Sequence, residues 1–316
     1  MPKGATVPTV SVMMPVYNAE SYLAEAVESI LGQTFADFEL LIANDGSTDR
    51  SAAILERYAA RDQRVRVARL PHGGIVAARN HALSLARAEF CAVMDADDVA
   101  LPQRLARQVD YLRAHPDIVC VGSAVHFIDP AGRFLRDAHP GMEHEEIEER
   151  ALAGDCPLNH PSVMMRRAAV EAVGGYRAGF EPSEDHDLFL RLGEVGRLAN
   201  LPEVLMKYRQ HPHSASERRQ RLQCERSAAA ALEACRRRGI PPRDVAVSPW
   251  RPVDRRSRMH TYIGYGRRGF ERGDYGMALH YGLQAIGQVP WHPGGWRLLA
   301  RALLKRPPGA SADAKP

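Results

Sequence analysis

Four short strings in this 316-residue chain hold residue types that could do chemistry. The most compact is Met94-Asp95-Ala96-Asp97-Asp98, which follows an apolar run. On an extended segment Asp95 and Asp97 point the same way and Ala96 turns aside. Two such carboxylates repel unless a hard divalent ion, Mg²⁺ or Mn²⁺, lies between them and takes phosphate oxygens as further ligands. Neutralising a pyrophosphate leaving group is the chemistry this suits, although a D-x-D-D string by itself also occurs on solvated loops. Pro15-Val16-Tyr17-Asn18 and Asn44-Asp45-Gly46-Ser47 each follow another apolar run. A ring beside a carboxylate can hold a nucleobase, the ring by stacking and Asp45 by accepting a base N–H, whereas Asn-Asp-Gly-Ser alone reads as a turn and cap. The fourth string, Ser183-Glu184-Asp185-His186-Asp187, opens a helical pattern. Acidic residues there suit the helix dipole, and one of them facing a cleft would be a general base.

These strings need strands and helices to bring them together. Residues 9–14, 38–43, 65–70 and 90–94 are short apolar runs separated by helical periods, the pattern of parallel βαβ units. Asn18 and Ser47 are expected to cap the first two helices and Gly74 to open the third. Right-handed crossovers then give an open, doubly wound sheet with ligands outside the carboxyl ends of its strands, where the strings lie. Further on, the spacing predicts helices over 103–114, 143–151 and 184–192 and strands over 118–128, 162–165 and 204–208. Met13, Met14, Met164 and Met165 fall on these strands and read as core.

Composition bounds the rest. Hydrophobic residues at 45% and charged residues at 25% describe an ordinary globular protein. No apolar run reaches the roughly 18 residues of a spanning helix, and the amino terminus lacks a signal-peptide pattern, so a cytoplasmic location is expected. Five scattered cysteines form no CxxC or Cys/His ligand set and read as reduced. Residues 1–205 carry 20 basic and 30 acidic side chains, whereas 206–316 carry 22 and 8, a net +14. That surface suits nucleic acid, anionic lipid or a phosphorylated substrate, and charge does not choose among them. Residues 216–238 read as an Arg-rich helix, 239–258 as a linker, 259–304 as helical pairs resembling a tetratricopeptide hairpin, and the residues after 306 as a disordered tail. The expected division is 1–215, 216–258, 259–306 and 307–316.

The order and spacing of PVYNAESYLAEAVESILGQTFADFELLIANDGSTDRS, Arg79-Asn80 in GGIVAARNHAL, FCAVMDADD, NHPSVMMRR, GGYR and SEDHDLFLRL resemble the family 2 glycosyltransferases over residues 9–215. The resemblance implies a GT-A-type fold, mostly parallel and Rossmann-like, with a carboxyl-terminal α-helical extension. It implies an inverting enzyme that moves one sugar from a nucleotide-diphosphate sugar to a hydroxyl of a glycan or lipid-linked glycan, in cell-surface polysaccharide biosynthesis. It places Pro15, Tyr17, Asp45 and Arg79 at the donor and makes Asp95 and Asp97 the DxD motif that holds ribose and a metal-bound diphosphate. It makes Asp185 the base, adds His211 near the metal, and sets Asn159, His160, Ser162 and Glu184 on the acceptor side. The cofactor implied is Mn²⁺ or Mg²⁺, with contact to an anionic membrane face allowed and no nucleic acid expected. QxxRW, the signature of processive members, is absent, which implies single transfers. Two other readings are a sugar nucleotidyltransferase, disfavoured because PVYNAE lacks that class's Gly-rich phosphate loop, and a catalytically idle adaptor, disfavoured because all the carboxylates are kept.

Overall fold

The computed structural model describes residues 7–211, 214, 219–243, 252 and 254–305. By its contacts the chain divides into a first unit, Met1–Gly132 with Asp137–Ser248, and a second, Arg133–Arg136 with Pro249–Pro316.

In the first unit β1 (Val10–Val16), β2 (Phe38–Asp45), β3 (Val65–Leu70) and β4 (Phe90–Val93) alternate with α1 (Leu23–Leu31), α2 (Ser51–Arg61) and α3 (Ile75–Leu85). β1 and β2 are buried along their whole length, as unbroken apolar runs require when both faces of a sheet are covered. Then follow β5 (Val99–Ala100), α4 (Arg104–Ala114), β6 (Ile118–Ile128), β7 (Phe134–Ala138, whose first three residues belong to the second unit), α5 (His144–Leu152), β8 (Met164–Arg166), α6 (Arg167–Ala172), α7 (Glu184–Leu192), β9 (Arg197–Arg209) and α8 (Gln220–Arg238). The sheet order is β3-β2-β1-β4-β8-β6-β9-β5, with β7 paired to β6. β3, β2, β1 and β4 are mutually parallel, as are β6 and β9, while β8 runs antiparallel between β4 and β6. This is the expected mostly parallel, doubly wound sheet. The four methionines are core residues, none more than 1% exposed.

Several expectations need correction. Neither Asn18 nor Ser47 caps a helix, since α1 and α2 begin only at Leu23 and Ser51. Instead the two loops cap each other: Asn18 N–H donates to Ser47 Oγ at 3.1 Å, and Thr48 N–H donates to Asn18 Oδ1 at 2.8 Å. Asn18 adopts φ 49°, the left-handed region that Asn tolerates better than most residues. β9 begins seven residues before the expected strand, and β7 was not foreseen.

The apolar side of α8 is made of small residues: Ala230, Ala234 and Cys235 pack with Ala151, Leu152 and Leu190. Among its described residues the second unit holds the helices α9 (Arg255–Glu271), α10 (Tyr275–Gln288) and α11 (Pro293–Lys305). α9 starts inside the expected linker because Asp254 caps it, its carboxylate accepting Ser257 N–H at 2.9 Å. Ala278, Leu298 and Ala302 form a small core there. Residues 216–218, the middle of the expected linker and the expected tail lie outside the described residues.

Candidate active site

The site is assembled at the carboxyl ends of β1, β2 and β4, closed by the start of α7 and the end of β9. Pro15 is buried in β1 opposite Ala43, and Tyr17 beyond it is 47% exposed. Asp45 ends β2 and is buried; its carboxylate accepts Gly73 N–H at 2.7 Å and Gly74 N–H at 3.0 Å. His72, which the sequence reading passed over, stacks on Tyr17 with ring centroids 4.2 Å apart and planes 19° apart. Its Nδ1 lies 2.9 Å from Asp45 Oδ2 and 3.1 Å from the Asp45 carbonyl oxygen. Both partners are acceptors, so Nδ1 carries a proton, and an Nε2 without one is an acceptor. Asp45 therefore spends most of its acceptor capacity inside the fold, and the half-exposed His72 stands at the surface beside Tyr17. Gly46 makes this possible: it adopts φ +70°, and a Cβ there would lie 2.8 Å from His72 N.

α3 runs from this aromatic end to the acidic end. Arg79, five residues past Gly74 and so about 7.5 Å along the helix axis, is buried and forked. Nη1 donates to Glu184 Oε1, and Nη2 donates to Asp95 Oδ1 at 3.4 Å. Burial works against this cation, but Glu184 and Asp95 outweigh it and hold the guanidinium above its ordinary range. The neighbouring Asn80 grips the Tyr176 backbone from both sides, Nδ2 donating to the carbonyl at 2.8 Å and Oδ1 accepting the N–H at 2.9 Å. Gly175 adopts φ +69°, and a Cβ there would sit 2.8 Å from Asn80 Oδ1.

Asp95, Asp97 and Asp98 place one ligand oxygen each within 4.8 Å of one another. Burial and the neighbouring carboxylates raise the Asp95 and Asp98 carboxyls above their ordinary range, with Arg79 opposing this at Asp95 and Arg209 at Asp98. Nothing in the strand pattern predicted Asp98 as a third member. The loop is fixed by Arg209 at the end of β9: its N–H donates to Asp98 Oδ1 at 2.7 Å and its Nε to the Asp97 carbonyl at 2.8 Å. His211, two residues on, sets Nε2 2.8 Å from Asp97 Oδ2. Oxygen donors gathered this closely, with one imidazole beside them, fit a hard divalent cation. Behind the loop Arg104 is fully buried and donates to the Val93 carbonyl at 2.7 Å and the Val163 carbonyl at 3.2 Å. Burial lowers it to about 9. It ties the end of β4 to the entry of β8.

At α7 three carboxylates have three different fates. Glu184 is taken by Arg79. Asp187 is fully buried and accepts Arg191 Nε at 3.0 Å and Arg177 Nε at 3.0 Å. Asp185 is half-buried, and its Oδ1 accepts the adjacent His186 N–H at 2.8 Å. Burial raises its carboxyl above the ordinary range, with Arg79 opposing. His160 is buried with Nε2 2.9 Å from Tyr176 Oη, and burial keeps it neutral, well below the usual histidine range. Asn159 beside it is half-buried, and its carbonyl accepts Ser162 Oγ at 2.8 Å. The structure thus brings Arg79, Asp95 and Glu184 into direct contact, and Asp97 with His211. Tyr17 and Asp45 are joined through His72 at the other end of α3, and His160 bonds Tyr176, whose ring lies 5.5 Å from the Arg79 guanidinium carbon.

Residues 11–174 match the model of Glycosyl transferase family 2. The chain is 36% identical over 244 residues to the glycosyltransferase EpsE of Bacillus subtilis, across 75% of this chain and 85% of that protein. It is 35% identical over 213 residues to the O-antigen biosynthesis glycosyltransferase WbnJ of Escherichia coli, across 66% of this chain and 82% of that one. Its fold is similar to that of S. aureus TarS solved in complex with UDP-GlcNAc, with a TM-score of 0.58 at 17% identity, covering 94% of this chain and 88% of that one. The strand-end carboxylates, the forked arginine and the matched motifs lead to one conclusion: the chain belongs to glycosyl transferase family 2 and transfers a sugar from a nucleotide-diphosphate donor.

Proposed function

We propose that the enzyme moves one sugar at a time with inversion, onto a glycan or lipid-linked glycan of a surface polysaccharide, and that Asp185 is its base. The observation that carries this is the fork of Arg79, which joins Asp95 at the end of β4 to Glu184 at the start of α7. It sets the half-buried Asp185 beside the acidic cluster, with no salt-bridge partner of its own among the described residues. Similarity to a protein of O-antigen biosynthesis supports the acceptor class.

In this reading Tyr17 and His72 hold the nucleobase, Pro15 shapes the floor and Asp45 fixes His72. Asp95 and Asp97, with His211, would hold Mn²⁺ or Mg²⁺, which when bound stabilises negative charge on the departing diphosphate. Arg79 orients Asp95 and Glu184 and adds fixed positive charge beside the diphosphate. Asp185 takes the proton of the acceptor hydroxyl as its oxygen attacks the anomeric carbon. The new glycosidic bond forms on the face opposite the breaking sugar–phosphate bond, so configuration inverts and nucleoside diphosphate leaves. A raised carboxyl suits this work, since a base is most effective when its pKa approaches the working pH. Asn159 faces the acceptor, with His160 bracing Tyr176 behind it.

The test is the anomeric outcome. A panel of UDP-, GDP- and dTDP-sugars screened for stabilisation selects the donor, and NMR of the product then reads its linkage. Inverted configuration is expected; retained configuration would overturn the assignment of Asp185.

A further inference from the structure

The residues assigned to the chemistry above all belong to the first unit, and the second unit carries a surface of unusual composition. Ten large apolar side chains are exposed among the described residues, and five of them, Leu283, Trp291, Trp296, Leu303 and Leu304, lie within 22 consecutive positions. Scattered exposed leucines need no explanation, but such a concentration does.

α11 shows how the surface is built. Gly295, Leu298 and Ala302 face inward. At about 100° per residue, Trp296 and Leu303 lie within about 20° of each other on the outward side, and the half-buried Leu299 adjoins them. Trp296 is 52% exposed and Leu303 57%. Arg297, Arg301 and Lys305, all exposed, recur every four residues and form a separate row beside that apolar stripe. A helix meant only for water would place polar residues where Trp296 and Leu303 stand. Residues 275–305 contain no Asp or Glu, so nothing on these two helices balances the basic row.

We infer that α11, with Trp291 at its amino-terminal edge, is a docking surface for an anionic lipid bilayer. Indole rings favour the headgroup boundary, where one edge stays wet and the rest is apolar. Arginine and lysine extend apolar stems along such a surface and reach phosphates with their charged ends. An uninterrupted basic row with no acidic partner complements a surface of one sign. A second copy of this chain would set like charges against each other.

The test uses the full chain and does not depend on sugar transfer. All three tryptophans, Trp250, Trp291 and Trp296, lie in residues 250–296, so intrinsic fluorescence reports this region alone. Co-sedimentation and fluorescence are measured with phosphatidylcholine vesicles and with phosphatidylcholine–phosphatidylglycerol vesicles, at low and high salt. Binding to the anionic vesicles with a blue shift, weakened by salt, is expected. Replacing Arg297, Arg301 and Lys305 by Glu should weaken it on the order of a hundredfold or more, from about 1 kcal/mol per basic residue near such a surface. Trp296→Ser with Leu303→Ser should remove the blue shift. Both variants should bind donor nucleotide as the parent does, which checks that they fold. Equal recovery on neutral and anionic vesicles, no recovery on either, or a dimer that Leu303→Asp converts to monomer would each overturn the inference.

Discussion

The chain holds two acidic clusters bridged by Arg79, and they are balanced in opposite ways. At α7 two of three carboxylates are matched inside the protein, Glu184 by Arg79 and Asp187 by Arg177 and Arg191. After β4 three carboxylates share one small space, with Arg79 at 3.4 Å from Asp95 and His211 at 2.8 Å from Asp97 as the side-chain partners. A group of carboxylates left short of positive charge is built for a cation from outside. A group in which arginines fix all but one leaves that one to act on substrate. In the proposed reading the same residue type serves two purposes, and the arginines decide which.

Breaking the balanced cluster should have the largest effect. Asp187→Asn leaves two arginines facing a buried neutral side chain and should cost about 3 to 5 kcal/mol of stability in a denaturant titration. Asp97→Asn in metal-free protein should cost less than about 1 kcal/mol, because it also relieves repulsion within its cluster. Similar losses in the two variants would erase the contrast. Next in size is Asp185→Asn, which keeps shape but cannot take a proton; turnover should fall on the order of 10²-fold. Its removal should also abolish an acid limb in the rate profile that lies above the ordinary aspartate range, since activity needs the carboxylate and is lost as pH falls through its raised pKa.

A smaller effect concerns the histidines that brace these clusters. Burial holds both His160 and His186 below the ordinary histidine value of about 6.5. The unfolded chain therefore binds more protons, and the stability these groups contribute is present above pH 6.5 and lost as pH falls below it. The slope should approach about 1.4 kcal/mol per pH unit for each histidine. Denaturation at a series of pH values on the parent and His160→Gln checks it; an unchanged slope would remove His160 from the account. Smallest is His72→Ala, expected to weaken donor nucleotide by about tenfold, the scale of one stacking contact. His72→Phe should recover most of that loss while losing discrimination among bases, because it restores the ring and not the Nε2 acceptor.

Much of this was legible in the sequence because it is local. Four apolar runs gave β1 to β4, and strand ends gave the places of Tyr17, Asp45, Asp95 and Asp97. What stayed hidden depends on partners far along the chain. Asn18 and Ser47 look like helix caps, yet each is consumed by the other's loop, 29 residues away. Arg209 reaches back 111 residues to Asp98, and no local pattern marks it. His72 sits in a plain Pro-His-Gly-Gly turn, and only the fold, which places the loops after β1 and β3 on either side of the end of β2, sets its ring on Tyr17. Residue type alone does not separate Glu184 and Asp187 from Asp185; the resemblance singles out Asp185, and the arginines that hold the other two are visible only in the fold.

The central claim is that one cluster holds a cation and the other supplies a base. A calorimetric titration of the donor nucleotide, with and without Mn²⁺, on the parent, Asp97→Asn and Asp185→Asn tests it most directly. The account predicts that Asp97→Asn loses the Mn²⁺-dependent part of binding, while Asp185→Asn binds as the parent does despite its slow transfer. Mn²⁺-dependent binding intact in Asp97→Asn, or lost in Asp185→Asn, would contradict it.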